Sequence, residues 1–129
     1  MSENPIRVLV VDDEEVVLET LTAFIEDWGF RAFTAEEGDI GLEILKNEHI
    51  DIAIVDIRLM DYDGNTFILK AHQVQPGLKF LIHTGSTSYT IPAELTALGI
   101  EEQDILWKPI RDFSALLETI RDKVGEKGE

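Results

Sequence analysis

The chain contains no cysteine, which excludes disulfide cross-links, thiolate nucleophiles and cysteine-ligated zinc in one step. Basic residues are scarce as well: 11 Lys and Arg stand against 26 Asp and Glu, a formal charge of −15. A chain so acidic repels phosphate backbones, so direct binding of DNA or RNA is not expected. No apolar run approaches the ~20 residues that cross a bilayer. The opening "MSENPIRVLVV" also lacks the charged-then-apolar order of a secretion signal. No membrane association is therefore expected, and the missing cysteines suit a reducing cytoplasm. The sequence shows neither an internal repeat nor a low-complexity tract.

What is present suits one domain: 129 residues, 44% of them hydrophobic, are enough for a single core. Five short aliphatic runs punctuate the chain, "IRVLVV" (6–11), "FRAFTA" (30–35), "DIAIVD" (51–56), "KFLIHT" (79–84) and "QDILWK" (103–108). Three are nearly continuous in apolar residues, the pattern of strands covered on both faces. Between them lie helical repeats. Val17, Leu21, Phe24, Ile25 and Trp28 recur at three and four residues, as do Phe113, Leu116, Leu117, Ile120 and Val124. Thr34 with Glu37 reads as a capping box opening a second helix at Ile40, Ile44 and Leu45. Weaker repeats follow in Phe67, Ile68 and Ala71, and in Ile91, Leu95 and Leu98. Strands alternating with helices predict an α/β fold, a parallel sheet wound with helices on both faces. The predicted domain covers 5–125, and 126–129 form a polar tail or the start of a linker.

Ligands of such sheets bind outside the carboxyl ends of the strands, and every chemically distinctive residue falls there. The first strand ends in Asp12 and Asp13, the third in Asp56, the fourth in Thr84, the fifth in Lys108 and Pro109. Taken singly each has a plainer reading: a helix N-cap for Asp12 or Asp13, a strand end for Asp56, a surface lysine, a β-branched strand residue. Four such accidents at one edge are far less probable than a site. At an effective dielectric near 20, two carboxylates ~4 Å apart repel by about 4 kcal/mol. Three therefore need cations, and Lys108 with one divalent ion would balance them. Hard oxygens without His or Cys suit Mg²⁺ (or Mn²⁺). A carboxylate can also attack a phosphoryl group to give an acyl phosphate, while Thr84 and Lys108 supply a hydroxyl and a point charge for phosphoryl oxygens.

In "VVDDE", "IVDIRLMDYDG", "HTGS" and "WKP", in this order, the chain resembles the receiver domain of two-component response regulators across residues 5–125. The resemblance implies a flavodoxin-like five-stranded sheet of order 2-1-3-4-5 with five helices. It implies that Asp56 accepts a phosphoryl group from a histidine kinase, a phosphotransfer protein or a small donor such as acetyl phosphate. Asp13, Asp56 and the Arg58 backbone carbonyl would ligate Mg²⁺, with Asp12 acting through water. Thr84 and Lys108 would contact the phosphoryl oxygens. Gly85 matches the small residue beside them, Lys108–Pro109 the family's cis bond, and Arg58 and Ser86 the positions that tune phosphoryl lifetime. Such a domain is not an enzyme beyond its own phosphorylation and autodephosphorylation. It would signal in the cytoplasm to an output domain or downstream protein, or as a homodimer.

Three departures from the family pattern stand out. Ile105 occupies the place of the usual inward-swinging aromatic, with Trp107 on the same side of the strand. Met60 stands where a Pro is usual. "GIEEQD" makes the approach to the last strand longer and more acidic. The histidines read as bland, His49 and His72 on helix surfaces and His83 as a packing residue. The alternatives weighed are three. A flavodoxin-like electron carrier would need a hydroxyl- and Gly-rich phosphate loop after the first strand, where this chain has "DDEE", whose charge would repel the flavin phosphate. A haloacid-dehalogenase-type phosphatase would carry its nucleophile on the first strand with a second acid two residues on, unlike the adjacent Asp12 and Asp13. A pseudo-receiver would bind partners without phosphorylation, a reading that Ile105 keeps open.

Overall fold

The computed structural model describes residues 5–59 and 61–125. The readings made for Met60 and for the tail at 126–129 lie outside the described residues. In chain order the elements are β1 (Arg7–Val11), α1 (Glu15–Asp27), β2 (Arg31–Ala35), α2 (Gly38–Asn47), β3 (Ile52–Asp56), α3 (Gly64–Val74), β4 (Lys79–Thr84), α4 (Ala93–Thr96), β5 (Ile105–Trp107) and α5 (Phe113–Val124). All strand pairs are parallel and run in the order β2-β1-β3-β4-β5, the flavodoxin-like winding.

The apolar runs find the place their composition requires. β3 is buried at every position, because neighbouring strands and helices cover both its faces. Alternation then sorts its side chains. Ala53 and Val55 join Leu9, Val11, Phe67 and Ile82 in one core beneath α2 and α3. Ile52 and Ile54 join Val8, Val10, Leu21, Ile25, Leu117 and Ile120 in a second core beneath α1 and α5. Register brings the strand ends level, with Asp56 opposite His83 and Thr84 opposite Trp107.

Two local expectations need correction, and one plainer reading falls away. Thr34 does not cap α2: it remains in β2, and Glu37 at the N-cap makes no side-chain cap. The capping is done from afar by Asp61, whose two oxygens accept from Gly38 N–H and Asp39 N–H at 2.9 Å each. Neither Asp12 nor Asp13 caps α1, since Glu14 holds that position. The repeat at Ile91, Leu95 and Leu98 yields only the four-residue α4, bounded by Pro92 and by Gly99 at φ +94°. The chain then closes through a 3₁₀ turn, Glu102–Asp104, in which Asp104 accepts from Glu101 N–H at 2.9 Å.

Candidate functional site

β1 and β3 deliver their terminal acids to one edge as a consequence of register. The strands are buried up to Val11 and Val55, and of the acids that follow, Asp12 and Asp56 stay buried while Asp13 is exposed. Asp12, Asp13 and Asp56 each present an oxygen within 4.8 Å of the others. Two of these acids are far from freely solvated: Asp12 is 1% exposed and Asp56 5%. Burial therefore raises both carboxyls, Asp12 to about 6, although the Glu14 N–H donated to Asp12 and the Arg58 N–H donated to Asp56 pull the other way.

Lys108 reaches into this cluster from the end of β5. Its Nζ lies 3.1 Å from Glu14 Oε1, 3.2 Å from Asp12 Oδ2 and 3.4 Å from Asp56 Oδ2. Burial works to lower the lysine, but the Glu14 hydrogen bond and the Asp12 and Asp56 charges outweigh it and hold the pKa above its usual value. The ammonium is thus fixed as a cation. The Lys108–Pro109 bond is cis, as the resemblance implies.

Thr84, buried at the end of β4, accepts from Ser86 N–H at 3.1 Å, which leaves its own O–H proton to donate. Asp13, Asp56, Thr84, Gly85, Ser86 and Lys108 line a shallow cavity of about 390 Å³. Gly85 leaves that cavity open on the Lys108 side: an added Cβ would stand 3.6 Å from Lys108 Cβ, an ordinary contact. A larger cavity, about 770 Å³, opens at the opposite edge of the sheet beside Glu48, Asp51 and Lys79. The acid cluster is not there.

The donor set fits a hard divalent cation. It offers three carboxylates in reach of one another, and Asp12 Oδ2 is buried without a hydrogen bond among the described residues despite its approach to Lys108. Such oxygens, with no thiolate among them, match Mg²⁺ or Mn²⁺ better than a softer ion.

The residues read from sequence as one site are therefore together: Asp12, Asp13, Asp56, Arg58, Thr84, Gly85, Ser86 and Lys108. Ile105 and Trp107 stand apart from the acids. Ile105 is packed in the core beneath α3 and α4, and Trp107 is 46% exposed. Sequence reading missed Glu14, which shares Lys108 with the aspartates across 94 positions; only its place in the acid run hinted at it. It also missed Gly64. A Cβ there would overlap the Asp56 carbonyl oxygen and stand 2.8 Å from Ile57 Cα.

Comparison with known proteins agrees with the fold and gives its family. Residues 8–121 match the family described as the response regulator receiver domain. The chain is 34% identical over 122 residues to the transcriptional regulatory protein GlrR of Escherichia coli K12, covering 95% of this chain but only 27% of GlrR. Among solved structures it is similar to a CheY-like receiver domain protein from Methanospirillum hungatei JF-1, with TM-score 0.79, 28% identity and coverage of 96% and 97% of the two chains. It is also similar to the beryllofluoride-activated NtrC4 receiver domain dimer, with TM-score 0.78, 27% identity and coverage of 94% and 98%.

Proposed function

Because this chain belongs to the response regulator receiver domain family of two-component signalling, we propose that Asp56 is its phosphoacceptor and that the acid cluster holds Mg²⁺ or Mn²⁺. The observation that carries this reading is the convergence of three carboxylates, a hydroxyl and a lysine from four separate strand ends on one cavity. A divalent ion held by Asp13, Asp56 and the Arg58 carbonyl, with Asp12 behind them, would neutralise the cluster and draw charge from the phosphoryl oxygens. Asp56 would attack phosphorus with a carboxylate oxygen. As the new O–P bond forms, the bond from phosphorus to the donor breaks, and the electron pair leaves with the imidazole of a phosphohistidine or with acetate. Lys108 is already 3.4 Å from Asp56 Oδ2 and would exchange that contact for a phosphoryl oxygen, while the Thr84 proton is free to bind another.

On this reading the chain is a phosphoacceptor and not an enzyme acting on a separate substrate. Its donors would be a sensor histidine kinase, a phosphotransfer protein or a small phosphodonor. Its readout would lie in an output domain, a downstream protein or a homodimer, the last supported by likeness to a receiver dimer. Arg58 and Ser86 flank the cavity and would tune how long the phosphoryl group survives. Among the described residues no helix is long and apolar enough to cross a membrane.

The test is intact mass after incubation with acetyl phosphate, with and without Mg²⁺, for wild type and Asp56→Asn. One Mg²⁺-dependent phosphoryl adduct, absent from the variant, is expected. Persistent stoichiometric labelling of Asp56→Asn would displace Asp56 as acceptor. Failure of wild type with acetyl phosphate, phosphohistidine donors and beryllofluoride alike would leave the pseudo-receiver.

A further inference from the structure

His83 has no part in the chemistry above, yet it sits where packing alone does not account for it. The residue is 4% exposed, and neither ring nitrogen has a hydrogen-bond partner among the described residues. It leaves β4 on the side of α1 and α5, where Val17, Leu21 and Phe113 line the same apolar recess. An apolar side chain would satisfy that recess better, because a buried imidazole without partners forfeits its hydration.

The second observation is what the ring faces. His83 Nδ1 lies 3.9 Å from Asp12 Oδ2, the other buried atom of this region that lacks a hydrogen bond. The separation exceeds a hydrogen bond by about 1 Å and is too short for a water to sit between them. A small turn of either side chain would close it. Asp12 Oδ2 is meanwhile contacted by Lys108 at 3.2 Å, but that ammonium is shared with Glu14 and Asp56. If Lys108 is drawn towards a phosphoryl oxygen, Asp12 Oδ2 loses its nearest cation at the moment its orientation matters.

We propose that His83 is a positioning residue for Asp12: its Nδ1–H donates to Asp12 Oδ2 and holds that carboxylate in its metal-facing orientation as Lys108 turns away. The inference rests on the receiver reading above. Carboxylates that serve a metal are commonly fixed by such outer partners, whose removal weakens metal affinity by about 10- to 100-fold. Asp12 acts behind the cluster and not at its centre, so the low end of that range is expected.

The experiment uses wild type, His83→Leu, which fills the recess but cannot donate, and His83→Gln, which retains a donor. Mg²⁺ affinity is measured by calorimetry on each, and the ring ¹⁵N resonances of His83 are followed in wild type through an Mg²⁺ titration. His83→Leu should bind Mg²⁺ about tenfold more weakly, His83→Gln should recover most of the loss, and the neutral ring should carry its proton on Nδ1 when Mg²⁺ is bound. A folded His83→Leu with wild-type affinity overturns the proposal, as does a ring proton on Nε2 in the Mg²⁺-bound wild type. Those results leave the receiver reading standing. Wild type that binds neither Mg²⁺ nor beryllofluoride overturns both.

Discussion

Asp12 shows how a single buried acid stores strain for later use. Its carboxyl, ordinarily near 3.8, is raised to about 6 by burial, so the native protein binds this proton more readily than the unfolded chain does. The sign follows from linkage: a raised carboxyl lowers stability above about pH 6, and the deficit disappears as pH falls through 6 towards 3.8. In metal-free buffer Asp12→Asn should therefore be more stable than wild type by about 2–3 kcal/mol at pH 7, with the gap shrinking towards pH 4. Urea unfolding at several pH values measures it; a gap that widens on acidification would mean the carboxylate is stabilised, not strained. At the same scale Gly64 is required by contact and not by a left-handed backbone. Because a Cβ would overlap the Asp56 carbonyl oxygen, Gly64→Ala should cost about 3 kcal/mol and shift the backbone of the acceptor. Urea denaturation together with Mg²⁺ titration separates the two effects.

Secondary-structure elements are tied to the site by a few polar clamps, and these are where sequence and structure part company. The strands were legible because Val8–Val11 and Ile52–Val55 are apolar throughout, and the site was legible because its acids, hydroxyl and lysine end those strands. The caps were not. Asp61 satisfies the first N–H groups of α2 from more than twenty residues away, and no local pattern announces a partner at that range. Thr34 with Glu37 had the local form of a box, but the sheet claims Thr34 by pairing it with Val10. Asp61→Ala should fray the first turn of α2 at a cost of about 1–2 kcal/mol, visible as faster hydrogen exchange at Gly38 and Asp39 with little change at Leu45. The acidic stretch before β5 has a similar logic. Asp104 is buried, accepts from Glu101 N–H and pairs with Lys123 of α5 at 2.9 Å. An acid there is an anchor between the β5 approach and the last helix, not surface charge. Lys123→Met should strand that carboxylate and cost about 3 kcal/mol by thermal or urea unfolding, whereas Asp104→Asn keeps the Glu101 bond and should cost less.

Over the whole molecule the charge of −15 sets the terms on which the site can work. Self-repulsion of so many acids weakens the compact state, and the repulsion is concentrated where Asp12, Asp13 and Asp56 meet, with Lys108 among them. A phosphoryl group adds about 1.5 to 2 further negative charges at that point. It can redirect a distant surface only if the charged site favours one conformer over another, and the groups placed to make that difference are Lys108, Thr84 and the Ser86 turn. A divalent ion should therefore do more for this protein than screening salt can. At Mg²⁺ 100-fold above its dissociation constant the native state gains about 2.7 kcal/mol, worth roughly 10 °C in Tm for a domain of about this size. The same ionic strength supplied as NaCl should raise Tm less. Asp56→Asn, with one negative charge fewer, should begin with a higher Tm in metal-free buffer and gain less from Mg²⁺. Differential scanning calorimetry of both proteins in Mg²⁺ and in matched NaCl decides the point: equal shifts in the two salts would mean the acids are merely screened, and a Mg²⁺ shift that Asp56→Asn retains in full would place the ion away from the cluster.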